Sequence, residues 1–290
     1  KSDMHKGFDA SITWTDHIND FNYSIGGNIT YSRFWDWEQY KPRFSNSWDE
    51  YRNSIWHRVG YVNWGYEAIG RFQNWEQIAN YPIDNDRKGN RTVVPGDIMY
   101  KDQNNDGVIN YLDERPIGYR VDSTPTLNFG INLSASWKGF DLAMDWTGSG
   151  MTSWNQCYET ARPFQNDGNS PDEVLKDAWH LSDIWDANSP LIPGKYPMIR
   201  LNTDETSAYD KSSYWLHNVT YLKLRNLEVG YTFPKTWLNK TGISNLRLFV
   251  SGTNLLTLSN LSVMDPECAS DNGLDYPPMR VINIGVNLKF

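Results

Sequence analysis

Apolar and polar residues alternate with a period of two along several segments of this chain, a pattern typical of strands with two unlike faces. The clearest example runs from Leu127 to Lys138. Apolar side chains occupy one parity, here the odd-numbered positions, and Asn, Gly, Ser and Lys occupy the even-numbered positions. A second alternating run begins at Phe140, directly after Gly139. Two such runs with so short a link predict a tight antiparallel hairpin.

The same alternation predicts five more strands, and therefore seven in total. Their apolar positions are Phe8, Ala10, Ile12 and Trp14; Phe21, Tyr23, Ile25, Ile29 and Tyr31; Leu227, Val229, Tyr231 and Phe233; Leu246, Leu248 and Val250; and Ile282, Ile284, Val286, Leu288 and Phe290.

Short and long connections alternate between these strands. Residues 17–20, 138–139 and 234–245 are brief links, whereas 35–123, 151–213 and 259–278 are long. Outer-membrane barrels have short periplasmic turns and long outer loops, so this order favours a transmembrane antiparallel β-barrel over a soluble β-sandwich. Seven is an odd number and the last strand ends on the short-turn side. We therefore expect the C-terminal portion of a larger barrel, with a periplasmic C-terminus.

One strand contains a break in its parity. Leu222 and Leu224 fall on the opposite parity to Leu227 and the apolar positions that follow it. This break predicts either a β-bulge near Arg225 or a stretch that lies outside the membrane.

Aromatic residues support the membrane interpretation. The chain contains 14 Trp and 17 Tyr in 290 residues, and no apolar run approaches the roughly 20 residues that a transmembrane helix needs. Aromatic side chains stand at both ends of the apolar faces, as in the girdles at the two membrane interfaces. The residues expected at the short-turn rim are Trp14, Phe21, Trp137, Phe140, Phe233 and Phe290, and those near the long-loop rim are Tyr31 and Trp146.

Charge and motif content exclude several classes of function. The net charge of -8 argues against binding to nucleic acid, which favours a basic surface, and fits sugars or peptides better. None of the five His residues has the H-E-x-x-H spacing, and neither G-x-S-x-G nor a phosphate-binding G-x-x-x-x-G-K motif occurs. We therefore predict no catalytic residues and no enzymatic activity.

An acidic segment inside the first long loop has the spacing of a calcium-binding loop. Gly107 stands at the sixth position, where the chain must turn sharply. The candidate ligands are Asp102, Asn104, Asp106, the carbonyl of Val108, and Asp113 at the twelfth position, where Glu is usual. The alternative is an Asn/Asp/Gly-rich turn that binds nothing. If calcium binds, we expect a structural role in which it pins the 35–123 loop.

Tryptophans are concentrated in and beside the same loop. Their rings either stack on substrate or partner groups or form the packed core of the loop. The candidates for substrate or partner contacts are Trp35, Trp37, Trp56, Trp64 and Trp75.

The two cysteines, Cys157 and Cys268, fall in different outer loops that flank adjacent predicted strands. Extracellular surfaces are oxidising, so we predict a disulfide between them, with two free thiols as the alternative.

Several segments together resemble a known family, the SusC-like TonB-dependent transporters of Bacteroidetes outer membranes. They are residues 7–11 (GFDAS), 95–102 (PGDIMYKD), 137–142 (WKGFDL), 221–226 (YLKLRN) with 230–231 (GY), 251–256 (SGTNLL) and 276–280 (YPPMR). Their order and spacing extend the resemblance along nearly the whole chain.

The resemblance implies a plugged outer-membrane barrel that imports glycans, or sometimes peptides, with energy from the TonB complex and with a SusD-like surface lipoprotein as its lid. It also implies that residues 1–290 form a C-terminal barrel section, in contact with outer-membrane lipid, whose plug domain and TonB contact lie in a missing N-terminal part. The alternatives are an oligopeptide importer of the same family and a secreted calcium-dependent carbohydrate-binding module.

Overall fold

The computed structural model describes residues 2–38, 40, 42–120, 124–201, 205–239, 242–267, 272–273 and 275–290. Its strands are β1 (Ser2–Ile18), β2 (Phe21–Glu38), β3 (Arg58–Val59), β4 (Asn63–Gly65), β5 (Ala68–Arg71), β6 (Ile98–Tyr100), β7 (Arg115–Gly118), β8 (Leu127–Trp137), β9 (Phe140–Asn155), β10 (His180–Leu181), β11 (Leu191–Ile192), β12 (Leu216–Thr232), β13 (Asn245–Ser259) and β14 (Val281–Lys289). Its α-helices are α1 (Ser47–Asn53), α2 (Trp75–Ala79), α3 (Asp172–Lys176) and α4 (Lys235–Leu238).

Seven long strands form one antiparallel sheet in which each pairs with the next along the chain, in the order β1, β2, β8, β9, β12, β13, β14. The prediction of seven alternating strands in an all-β fold is therefore confirmed. None of the helices among the described residues is long and apolar enough to cross a membrane.

Several strands are longer than their apolar segments indicated. β2 continues to Glu38, which pairs with Ser2, and β9 continues to Asn155, which pairs with Leu216. The starts predicted for the loops at residues 35 and 151 were therefore wrong by several residues. In β2 the alternation itself continues through Trp35 and Trp37, and in both strands backbone pairing persists because the neighbouring strand is equally long.

The short connection after β8 depends on backbone conformation. Lys138 and Gly139 both have positive φ angles, 47° and 92°, as a two-residue type I′ hairpin requires. A Cβ atom at Gly139 would lie 2.7 Å from the Thr232 carbonyl oxygen. Glycine at this position therefore supplies both the turn and the close approach of β12.

The predicted β-bulge at Arg225 is confirmed. The register of β12 shifts between Leu224 and Asn226 against both of its neighbours, β9 and β13. The extra residue reverses the parity of the strand. As a result Lys223, Arg225, Asn226 and Glu228 all lie on the polar side of the sheet.

The two faces of the sheet differ sharply. The apolar face carries the bulky residues of the alternating pattern, and many of these remain exposed, with Ile12 at 77% and Ile284 at 83%. The polar face carries hydrogen-bonded side chains, such as Asn132, which donates to Asp145 at 2.7 Å. An apolar surface of this extent on a folded sheet needs a covering, and lipid is the covering that an alternating barrel wall meets.

Aromatic rings border the apolar face at both ends. At the short-turn end the register pairs Phe21 with Trp137, and Trp137 with Phe140. At the other end Tyr31 stacks on Phe8, with 5.9 Å between ring centroids. The ten residue steps from Phe21 to Tyr31 span about 33 Å along β2, or about 25 Å of height at the usual barrel tilt. That height matches the apolar band of an outer-membrane barrel.

The two longest connections fold together into one compact unit, here called the outer-loop body. Its hydrophobic core combines residues of the segment between β2 and β8 with residues of the segment between β9 and β12. The largest fully buried side chains in this core are Tyr100, Tyr196 and Trp215. Backbone bonds join the two segments as well, for example from Tyr66 N–H to the Lys211 carbonyl at 2.9 Å.

We predict that a charge is tolerated on the polar face and not on the apolar face. Leu133 and Ser134 are consecutive residues near the middle of β8. Leu133→Lys should lower the free energy of unfolding of the intact, membrane-embedded protein by about 2–4 kcal/mol, whereas Ser134→Lys should change it little. Denaturant titration in lipid vesicles measures both variants. Equal effects would contradict the assignment of the faces.

Candidate functional site: polar face and outer-loop body

A buried cation on the polar face holds a segment of the last long loop. Lys223 is only 1% exposed. Its ammonium group donates to both carboxylate oxygens of Asp265, at 2.9 and 2.8 Å, and to Glu267 at 2.8 Å. A buried charge is stable only when it is paired and hydrogen-bonded, and this lysine satisfies both conditions.

Arg225, the bulge residue, extends this network to the neighbouring strands. Its guanidinium donates to Glu267, to Asn254 on β13 at 2.9 Å and to Thr147 on β9 at 3.2 Å. Burial by itself would raise the pKa of Glu267, but the hydrogen bonds from Arg225 and Lys223 outweigh it and hold that pKa below its ordinary value. Glu267 is therefore a carboxylate at neutral pH, and it ties its loop to β12 and, through Arg225, to β9 and β13.

Sequence reasoning did not identify this network. Its one local signal is a pair of cations, Lys223 and Arg225, beside the parity break. Their carboxylate partners lie about forty residues further along the chain, and alternation carries no information on such a pairing.

A shallow cavity of about 330 Å³ opens beside the network on the polar face. Its walls combine amides, hydroxyls and charged groups from β2, β8, β9 and β12 with the loop carboxylate. The polar residues that line it include Asn28, Asn128, Asp145, Ser149, Tyr221 and Glu267. A surface of this chemistry can exchange hydrogen bonds with sugar hydroxyls or with peptide amides.

A second charged group lies nearer the short-turn end. Arg247 donates to Asp141 at 3.0 Å and also to Glu228, so one guanidinium links β13, β9 and β12. Gly230 leaves room for this arginine, because a Cβ atom there would lie 2.4 Å from the guanidinium. The polar face is therefore crossed by ion pairs at two heights.

The acidic segment predicted to bind calcium forms a tight turn in the outer-loop body. Asp102 accepts from the backbone N–H groups of Asn105 at 2.6 Å and Gly107 at 2.8 Å, and Asp106 accepts from Val108 at 2.9 Å. Gly107 has a φ of 83°, as the sharp turn requires. The oxygen-rich donor set of Asp102, Asn104 and Asp106 thus fits a hard cation in chemistry.

Asp113 has another role in this geometry. It is fully buried, and its two oxygens accept from the backbone N–H groups of Gln103 and Asn110, both at 2.8 Å. Within the described ranges, no group of three or more His, Cys, Asp or Glu side chains is arranged to hold a metal ion. Calcium binding remains a prediction that needs Asp113 to exchange these bonds for the ion.

The five tryptophans proposed as contacts do not form one site, but three of them share neighbours. Lys6 lies over the rings of Trp35 and Trp37, and His57 stacks on both Trp37 and Trp56. Trp64 is buried at an edge-to-face distance of 5.2 Å from Tyr51 and under the guanidinium of Arg52 at 4.5 Å, so it packs within the loop. Trp56 and Trp75 are 49% and 56% exposed, and Trp56 stacks on His57 with 4.9 Å between ring centroids. Trp35 and Trp37 lie on β2.

Only one of the two cysteines of the predicted disulfide lies within the described residues. Cys157 is half-buried at the start of the 3-10 helix Tyr158–Thr160. Cys268 lies outside the described residues. The pairing of Cys157 with Cys268 remains a prediction.

Comparison with curated proteins finds TonB-dependent receptors. Receptor P3 of Formosa agariphila is 30% identical over 243 residues, which cover 77% of this chain and 22% of that protein. SusC of Bacteroides thetaiotaomicron is 24% identical over 252 residues, which cover 81% of this chain and 20% of SusC. The chain thus spans about a fifth of the length of these relatives. No family model matches the sequence.

Comparison with solved structures finds the same architecture. A chain of the RagAB peptide transporter superposes with a TM-score of 0.64 at 22% identity, covering 99% of this chain and 29% of that one. At this identity the match establishes the fold alone. It confirms that the sheet is a section of an antiparallel β-barrel with elaborate outer loops.

We predict that Lys223 anchors the loop that contains Asp265 and Glu267. Lys223→Met leaves two partly buried carboxylates without this cation, which should lower the free energy of unfolding by about 3–5 kcal/mol and expose residues 260–267 to proteases. Lys235→Met, at an exposed lysine of α4, is the matched control. Limited proteolysis of the intact protein measures the effect. Equal cleavage of the two variants would refute the anchoring role.

Proposed function

We propose that this chain, which is part of a protein of the SusC-like TonB-dependent receptor family, forms a section of the wall and outer rim of an outer-membrane nutrient importer. One observation carries the proposal. A single sheet has an exposed apolar face bordered by aromatic rings at both ends, and an opposite face crossed by ion pairs. A wall between lipid and a wet lumen needs both faces.

The direction of the wall follows from its connections. The brief links join β1 to β2, β8 to β9 and β12 to β13, and the outer-loop body occupies the opposite end. In an outer-membrane barrel the short turns are periplasmic, so β14 would end in the periplasm. On this proposal residues 1–290 are the C-terminal barrel section, and the plug and the contact with the TonB complex belong to another part of the protein.

Glycans are the substrate class that we favour. The polar cavity offers amide, hydroxyl and carboxylate groups to hydroxyl-rich ligands, and the exposed rings of Trp56 and Trp75 supply flat apolar faces of the kind that pack against sugar rings. A SusD-like surface lipoprotein would cover the outer-loop body and complete the binding site from outside.

Oligopeptides are the second candidate, and a specific observation favours them. RagAB, whose fold matches, is a peptide transporter. The guanidinium and carboxylate groups of Arg225 and Glu267 beside the cavity would also pair with charged peptide side chains or termini.

We predict that loss of the two exposed indoles weakens substrate capture. In cells that carry the intact importer, Trp56→Ala with Trp75→Ala should reduce binding of oligosaccharide about thirtyfold, because each stacked ring contributes roughly 1 kcal/mol. Trp237→Ala is the matched control, because Trp237 is 66% exposed on α4, at the short-turn end. Titration with labelled oligosaccharides and oligopeptides measures both variants.

The two substrate classes give different results in that titration. Binding of oligosaccharide that falls only in the double variant supports a glycan importer, and the same fall with oligopeptide alone supports the second candidate. Equal binding by all variants would show that the indoles do not contact substrate. A chain that is soluble without detergent and binds sugar only with calcium would instead indicate a secreted carbohydrate-binding module.

Calcium, on our proposal, stabilises the outer-loop body. Asp84 joins the acidic turn to the rest of the body, since its N–H donates to the Gly107 carbonyl at 2.8 Å and its carbonyl accepts from Ile109 at 3.0 Å. Residues Asp102, Asn104, Asp106, Val108 and Asp113 would supply the oxygen ligands. A bound ion would therefore stiffen a turn that is already tied to the body.

We expect Asp102→Asn with Asp106→Asn to abolish this effect of calcium. Millimolar calcium should raise the melting temperature of the intact protein and slow proteolysis within residues 84–113, and chelator should reverse both changes. Asp183→Asn, in an exposed turn elsewhere in the outer loops, is the control. Identical melting with calcium and with chelator in the unaltered protein would refute calcium binding.

A further inference from the structure

Two cations stand directly opposite each other on the bilayer side of the sheet. Lys6 of β1 and Arg33 of β2 are cross-strand partners. They share the parity of Phe8 and Tyr31, the stacked pair at the outer rim of the apolar face. Lys6 and Arg33 lie two residues beyond that pair, which is about 7 Å further along the strands.

The two cations lack a counter-charge within the described residues. Like charges directly opposite on neighbouring strands destabilise a sheet. The ion pairs between described residues involve neither Lys6 nor Arg33. The carboxylate of Asp36 belongs to the opposite parity of β2 and therefore to the polar face.

Aromatic rings complete the surface around Lys6. Its ammonium group lies 4.9 Å from the ring centroid of Trp35 and 4.8 Å from that of Trp37. Indoles on the bilayer side of a barrel favour the depth of the lipid headgroups. The surface therefore combines two cations and two interfacial rings, at a height where the phosphates of lipid lie.

Two cations on the polar face, in contrast, form ion pairs with carboxylates of the chain. Lys223 pairs with Asp265 and Glu267, and Arg247 pairs with Asp141 and Glu228. The chain thus supplies carboxylates for Lys223 and Arg247, two cations that face the lumen. On the bilayer side, a ligand from the membrane is the natural source of negative charge.

We propose that Lys6, Arg33, Trp35 and Trp37 form a binding site for the phosphate headgroup of an anionic lipid in the outer leaflet. Guanidinium and ammonium groups donate charge-assisted hydrogen bonds to phosphate oxygens, and the indoles pack against the adjoining part of the lipid. This inference rests on the proposed membrane position of the sheet. It adds a lipid that holds the outer ends of β1 and β2 in register.

The test measures binding of bis-phosphorylated lipid A to the intact protein purified in zwitterionic detergent. Lys6→Gln with Arg33→Gln should weaken binding roughly 25-fold, since each cation near an anionic lipid surface contributes about a factor of five. Lys138→Gln is the matched control, because Lys138 lies 5.4 Å over the ring of Trp137 at the opposite rim. Phosphatidylcholine serves as the lipid without net charge.

Several outcomes decide the proposal. A selective loss of lipid A binding in the double variant, with phosphatidylcholine binding unchanged and with heat-modifiable gel migration retained, supports the site. Equal lipid A affinity in the double variant and the unaltered protein overturns it, and so does loss of both lipids alike. Failure of the membrane position would be recognised separately, because Leu133→Lys would then be as harmless as Ser134→Lys.

Discussion

The structure depends on one constraint, which is that a backbone crossing lipid must satisfy its hydrogen bonds internally. The seven long strands meet it by pairing each with its neighbour in sequence. Once the backbone is paired in this way, alternate side chains are forced onto opposite faces. The exposed apolar face, the ion pairs on the other face and the aromatic borders are then consequences of which residue types occupy each parity.

The bulge at Arg225 shows how a local departure from this regularity serves the polar face. One extra residue in β12 reverses the parity of the strand, so cations before the bulge and polar groups after it share one side. Lys223 and Arg225 then reach Asp265 and Glu267 of the last long loop. The loop between β13 and β14 is thereby held against the polar face of the sheet, beside the polar cavity, and not by its two strand ends alone.

The strands were predictable because their information is local. Alternation between Leu127 and Trp137 is set by neighbours in sequence, and the turn at Lys138 and Gly139 has its own backbone signature. The break in parity between Leu224 and Leu227 likewise predicted the bulge at Arg225. Strand ends were less predictable, because β9 continues to Asn155 through pairing with Leu216 rather than through a regular apolar pattern of its own.

The outer-loop body and the candidate site were not predictable in the same way. Tyr100 and Trp215 meet in one core although more than a hundred residues separate them, and no periodicity records that meeting. Trp64, grouped in sequence with candidate contacts, is buried against Tyr51 and Arg52. Composition indicated that aromatic residues matter in this loop. Only the folded arrangement distinguishes rings that pack from rings, such as Trp75, that remain exposed.

Cations on the two faces of the sheet differ in whether the chain supplies a carboxylate partner, and this difference connects these observations. Arg247 and Lys223 face a wet interior, yet each is held by two carboxylates of the chain itself, which fixes the strands and the loop. Lys6 and Arg33 face outward with like charges opposed, beside rings suited to an interface. A barrel wall that neutralises its inner cations by folding leaves its outer cations to be neutralised by the membrane, so that insertion itself completes the electrostatics of the sheet.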